Sequence, residues 1–106
     1  MREVDLGTFA RAHADGAVVI DVREADEYLS AHVPGARLVP MGQLPARLHE
    51  IEKNSPVFVI CASGGRSAAM ASFLETAGYD ACSVADGTGG WVSSGRPVVQ
   101  GSGERG

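Results

Sequence analysis

Val57-Phe58-Val59-Ile60-Cys61-Ala62-Ser63-Gly64-Gly65-Arg66-Ser67 runs from a short, continuous apolar segment into a cysteine, a glycine pair and an Arg-Ser that opens a new segment. An apolar run of four residues, two of them valine and one isoleucine, predicts a strand buried on both faces, as in a parallel sheet. Ser67 to Ala77 is rich in Ala, Met and Leu and stops at Gly78, which predicts a helix with a glycine at its C-terminus. Upstream, Ala17-Val18-Val19-Ile20 repeats the buried-strand signature, Leu38-Val39 makes a shorter strand candidate, and Ala81-Cys82-Ser83-Val84 a weaker one downstream. Helix-like segments fall between them: Thr8 to His13, Glu24 to Ser30 with acids at its start, and a stretch where Leu44, Leu48 and Ile51 share one face before Asn54-Ser55-Pro56 breaks it. Strands alternating with helices over short connections predict an α/β fold with a mostly parallel sheet and helices on both faces. In such sheets ligands bind outside the carboxyl ends of the strands, where Asp21-Val22-Arg23 and Cys61 to Ser67 fall.

The 106 residues, 44% hydrophobic and 21% charged, amount to one domain, and no internal repeat divides them. Nine Lys and Arg against 13 Asp and Glu give a net charge of −4 without a basic block, so nucleic acid is not an expected partner. Met1-Arg2-Glu3-Val4-Asp5 places acids where a signal peptide needs positive charge and an apolar run, and no apolar run is long enough to span a bilayer. A soluble, cytoplasmic protein without membrane partners is expected. Its two cysteines, Cys61 and Cys82, are too sparse for a disulfide scaffold and lack the paired spacing of a zinc site, so no metal is expected. The domain is expected over residues 1–100; Gly101 to Gly106 has nothing to bury and is expected to be a disordered tail.

The chemistry is expected in the loop from Cys61 to Ser67. A helix start presents unpaired N–H groups and partial positive charge, which stabilise a sulfur held there as thiolate. The small residues Ala62, Ser63, Gly64 and Gly65 let the backbone curl into a bowl with its N–H groups inward, and Arg66 adds a charged fork for an anionic substrate. Cys61 is therefore the expected nucleophile. Cys82, beside Ala81 and Val84, reads as core; it would resolve an oxidised Cys61 only if their Cα atoms came within about 7 Å.

Several ordered motifs make the chain resemble a single-domain member of the rhodanese sulfurtransferase family from about Val18 to Val98. Val19-Ile20-Asp21-Val22-Arg23-Glu24 with Glu27-Tyr28 resembles the family's first motif, and Ala31-His32-Val33-Pro34-Gly35-Ala36 its Pro-Gly turn, with Ala31 in place of glycine. Cys61 to Ser67 resembles the active-site loop; Gly87-Thr88-Gly89-Gly90-Trp91 with Gly95-Arg96-Pro97-Val98 resembles the C-terminal signature. The resemblance implies a three-layer rhodanese-like fold with about five strands. It implies that Cys61 carries sulfane sulfur as a persulfide, that Ala62, Ser63, Gly64, Gly65 and Arg66 bind the substrate, and that no cofactor is needed. Its expected partners are a small donor such as thiosulfate or a persulfide and an acceptor that is cyanide, a thiol or a protein. A sulfur-relay or redox-sensing module with a protein partner is the alternative reading, since Ala62 stands where many thiosulfate-using relatives carry a basic residue. Related phosphatases, which also suggest arsenate chemistry, place five residues between Cys and Arg and a His before the Cys. Here four residues intervene and Ile60 precedes, a smaller loop suited to sulfur.

The remaining polar residues read as scaffold. Asp21 and Arg23 are expected to hold the strand-to-helix turn, His13 and His49 to face solvent, His32 to bond backbone in its turn, and Trp91 to be a buried anchor. Met41, Met70 and Leu74 read as core or rim.

Overall fold

The computed structural model describes residues 2–105. It is a five-stranded sheet, every pairing parallel, in the order β1-β5-β4-β2-β3. In chain order the elements are β1 (Arg2–Val4), α1 (Leu6–Ala14), β2 (Val18–Asp21), α2 (Ala25–Ser30), β3 (Arg37–Leu38), a 3-10 segment (Met41–Glu50), β4 (Val57–Ile60), α3 (Gly65–Thr76), β5 (Ala81–Val84) and α4 (Gly87–Ser93).

Two apolar layers flank the sheet. Ile20, Val57 and Val59 face Leu44 and Ile51 of the 3-10 region and Ala71 and Leu74 of α3. Val19, Ile60 and Val84 face Phe9, Tyr28 and Trp91 of α1, α2 and α4. The central strands bury both faces, which is why their sequences run continuously apolar instead of alternating.

Two elements had no sequence signal of their own. β1 has charged neighbours around Val4 and forms as an edge strand because β5 offers an open ladder, with Val4 opposite Val84. The helix α4 contains three glycines in seven residues, a composition with poor intrinsic helix propensity, and tertiary contacts hold it instead. The expected helix around Leu44, Leu48 and Ile51 is a 3-10 segment with Pro45 inside it and a break at Arg47 (φ −116°). Proline cannot supply the backbone N–H that an α-helix needs there. Leu44 and Ile51 are buried nonetheless.

Of residues 101–106, expected to be a disordered tail, Gly106 lies outside the described residues, and 101–105 run against the end of α2 and the His32–Gly35 turn. Gly101 N–H donates to Leu29 O at 2.9 Å, Gly35 N–H to Glu104 O at 2.7 Å, and His32 Nε2 lies 2.8 Å from Gly103 O. The segment buries no apolar side chain; hydrogen bonds to its backbone, from main chain and from His32, hold it, a signal that composition does not carry.

Candidate active site

The chain leaves β2 for β3 on one side of the sheet and leaves β4 for β5 on the other, so the carboxyl ends of β2 and β4 flank the point where strand order reverses. Asp21 pairs with Ile60, and Val22 N–H donates to Ile60 O at 3.0 Å. Cys61 leaves β4 at this point, the place where α/β sheets bind ligands.

Gly64 precedes α3 at φ +116°, a left-handed conformation that turns the loop back toward the cysteine and favours glycine. No side chain caps this helix; Gly64 N–H donates instead to Cys61 Sγ at 3.1 Å. The sulfur thus takes the position of a capping acceptor, with the positive end of the helix behind it. Ser67, one turn in, places its Oγ 3.3 Å from Sγ. Burial alone would raise the pKa of Cys61, which is 1% exposed, but the Ser67 hydroxyl and the N–H groups of Ser67, Gly64 and Ser63 outweigh it and hold the thiol below its ordinary value. Burial without such donors pushes Cys82 up.

The loop is backed by the start of α4. Thr88 N–H donates to Cys61 O at 2.8 Å and Gly89 N–H to Ala62 O at 2.9 Å. Gly87, at φ +56°, lies so close that a Cβ there would sit 2.4 Å from Cys61 O. The second glycine cluster therefore serves the first: its bare backbone fixes the carbonyls of the loop whose N–H groups surround the sulfur.

Ser63 and Gly65 form the exposed rim, Ala62 is half-buried and Gly64 buried. Arg66 does not extend alone toward a substrate. Its Nη1 and Nη2 donate to Oε1 and Oε2 of Glu27 at 2.8 and 2.9 Å. This fork, together with the Glu24 N–H, pulls the Glu27 pKa down to about 2, and the carboxylate raises that of Arg66 in return. Sequence reasoning placed Glu27 in a motif but not in this pair, since 39 residues separate the partners and no local spacing links them. Asp21 and Arg23 form a buried ion pair at 2.9 Å, and Arg23 also donates to Ala31 O, so they brace the β2–α2 turn as expected.

His49 is exposed, and His32 is buried with Nδ1 2.9 Å from Tyr28 O, both as read from sequence. His13 is a correction: it is half-buried, its Nε2 is 2.7 Å from Pro34 O, and its ring meets Phe9 and Trp91. Trp91 is buried and donates to Pro97 O at 2.7 Å. Among the described residues no cluster of His, Cys, Asp or Glu has the geometry of a metal site, and no helix is long and apolar enough to cross a membrane.

Residues 6–94 match the sequence profile of the rhodanese-like domain. The chain belongs to this family. This rhodanese-like domain is 29% identical over 102 residues to a protein named sulfurtransferase from Allochromatium vinosum, covering 93% of this chain and 95% of that one. It is 38% identical over 61 residues to the putative sulfur carrier protein YrkF of Bacillus subtilis, covering 58% of this chain and 33% of that relative, so that the match spans a third of YrkF. Among solved structures it is similar to a rhodanese-related protein from Thermoplasma volcanium, with a TM-score of 0.88 at 29% identity over 93% of this chain and 98% of the other.

Proposed function

We propose that this rhodanese-like domain is a sulfurtransferase whose Cys61 carries sulfane sulfur as a persulfide. The observation that carries the reading is the Cys61 sulfur at a helix start, 3.1 Å from the Gly64 nitrogen and with its pKa lowered by hydrogen bonds. The Cys61 thiolate attacks the outer sulfur of a donor; for thiosulfate, the donor's S–S bond breaks and its electron pair leaves with sulfite. The new persulfide keeps one negative charge, now on its outer sulfur, facing the loop from Ala62 through Ser63, Gly64 and Gly65 to Arg66. Backbone N–H groups stabilise that anion as an oxyanion hole stabilises oxygen. Cyanide or a thiolate then attacks the outer sulfur, leaving as thiocyanate or a new persulfide and regenerating the Cys61 thiolate. Every step exchanges one anion for another, so the cycle needs no cofactor. A reducing, cytoplasmic setting suits it, because the mechanism needs Cys61 as a free thiol.

One observation favours a protein donor or acceptor over free thiosulfate. The Glu27 carboxylate occupies the Arg66 fork, and Ala62 supplies no charge, so a dianionic donor meets an ion pair where a bare cation was expected. In that second reading the domain is a relay module with slow turnover of small donors.

Incubation with thiosulfate followed by intact-mass measurement tests the proposal. One added sulfur atom, removed by cyanide and missing in Cys61→Ser, is the expected result. No mass gain with thiosulfate, with mercaptopyruvate or with a persulfide donor overturns it. Fast sulfur transfer from a persulfidated protein beside slow thiosulfate turnover selects the relay reading.

A further inference from the structure

Strand β5 carries a hydroxyl that the proposed cycle does not use. All four residues of Ala81–Val84 are buried, and Ser83 is 0% exposed. Because Ala81 and Ser83 alternate with Cys82, they face the α3 side of the sheet, and Ser83 Oγ lies 2.7 Å from Ser67 Oγ. Ser67 is thus surrounded by three groups: Ser83 Oγ, Cys61 Sγ at 3.3 Å and Gly64 O at 3.2 Å.

A serine hydroxyl has one proton to give and two lone pairs to receive with. A carbonyl oxygen and a thiolate only accept. With Cys61 ionised, Ser83 is therefore the neighbour able to donate to Ser67, while Sγ and Gly64 O compete for the single Ser67 proton. Gly64 O already accepts from Ala68 N–H at 3.0 Å, so the charged sulfur has the greater demand. A Ser83 proton turned toward Ser67 satisfies a buried donor and polarises the Ser67 O–H beyond it.

We infer that Ser83 is a positioning residue for Cys61: its hydroxyl donates to Ser67 Oγ and so turns the Ser67 proton onto the sulfur. This deepens the reading of Cys61 as sulfur carrier and rests on it. When the sulfur is extended to a persulfide, charge moves to the outer atom and the Ser67 proton is released toward Gly64 O. The buried hydroxyl pair thus favours the charge on Sγ in the resting enzyme and gives it up on loading. The charged groups around the loop are Arg66 of α3 with Glu27 of α2, Asp21 and Arg23 at the end of β2, and Asp86 before α4; substitution at Ser83 alters none of them.

The test is the pH dependence of Cys61 alkylation by iodoacetamide, read in a Cys82→Ala background so that a single thiol reports. Ser83→Ala is expected to raise the midpoint by about half to one pH unit, roughly three- to tenfold less thiolate below it, with Ser83→Thr restoring the original value. Ser83→Val, which has the shape of threonine without the hydroxyl, adds no second thiol and is expected to match Ser83→Ala. In a Ser67→Ala background Ser83→Ala is expected to add no further shift. An unchanged midpoint in Ser83→Ala and Ser83→Val, or an equal shift with and without Ser67, overturns the inference. Because alkylation needs no sulfur donor, a shifted midpoint in a protein that never gains sulfur would refute the persulfide reading and leave the coupling standing.

Discussion

Glu27 shows how much one carboxylate decides at the residue scale. Its oxygens receive both terminal nitrogens of Arg66 and the Glu24 N–H, so it fixes the loop's cation and the start of α2 together. Its pKa falls from 4.5 unfolded to about 2 folded, so the stability it contributes is fully present above 4.5 and is lost as pH falls toward 2. The stability gap between wild type and Glu27→Gln in urea is therefore expected to be largest near neutral pH and to close in strong acid. The same variant unpairs the Arg66 guanidinium, and its KM for thiosulfate is expected to fall by about two- to fivefold, an effect that added salt removes. Unchanged KM would mean that Arg66 does not sense the donor. Cys61 itself was legible because strand, cysteine, glycine pair and Arg-Ser are contiguous. Ser83 left one trace, a hydroxyl in an otherwise apolar run, which as a buried polar group requires a partner that the sequence does not name.

At the scale of elements, α4 is the clearest case of structure imposed from outside. Its glycines weaken a helix on propensity, yet Gly87 and Gly89 are where the backbone of α4 meets the carbonyls of Cys61 and Ala62. Gly87→Ala adds a Cβ 2.4 Å from a backbone oxygen at a residue with φ +56°, and neither neighbour is a flexible side chain that can move away. A loss of about 1–3 kcal/mol is expected in denaturant unfolding, with slower alkylation of Cys61 in the folded protein as the loop is displaced. A stability loss with normal Cys61 reactivity would separate the turn from the loop. The 3-10 segment shows the converse: the positions of Leu44, Leu48 and Ile51 were readable as one apolar face, but Pro45 changed the helix type while Leu44 and Ile51 still reached the core.

For the whole molecule, the sheet determines how the two cysteines relate. Val59 pairs with Ser83, so Cys82 lies three residues behind the position beside Cys61, about 10 Å along the neighbouring strand. Alternation also turns the two side chains to opposite faces of the sheet. A disulfide between them exceeds the Cα separation of about 7 Å that bridging allows. Treatment of the folded protein with a mild oxidant is expected to give no internal disulfide, checked by intact mass and by thiol counting after unfolding; a mass loss of two hydrogens in the monomer would contradict this arrangement. The alternation of buried strands and helices, the parallel sheet and the loop from Cys61 to Ser67 are all legible along the chain. These rest on contiguous signals: runs of apolar residues, a helix stop and a cysteine set before a glycine pair. The grip of Glu27 on Arg66, the placing of Ser83 behind Ser67, the support of the loop by α4 and the pairing of residues 101–105 with the His32–Gly35 turn arise only when the chain folds. Each of these joins groups distant along the chain, and pairing across such distances is set by how the layers pack, which local spacing does not encode.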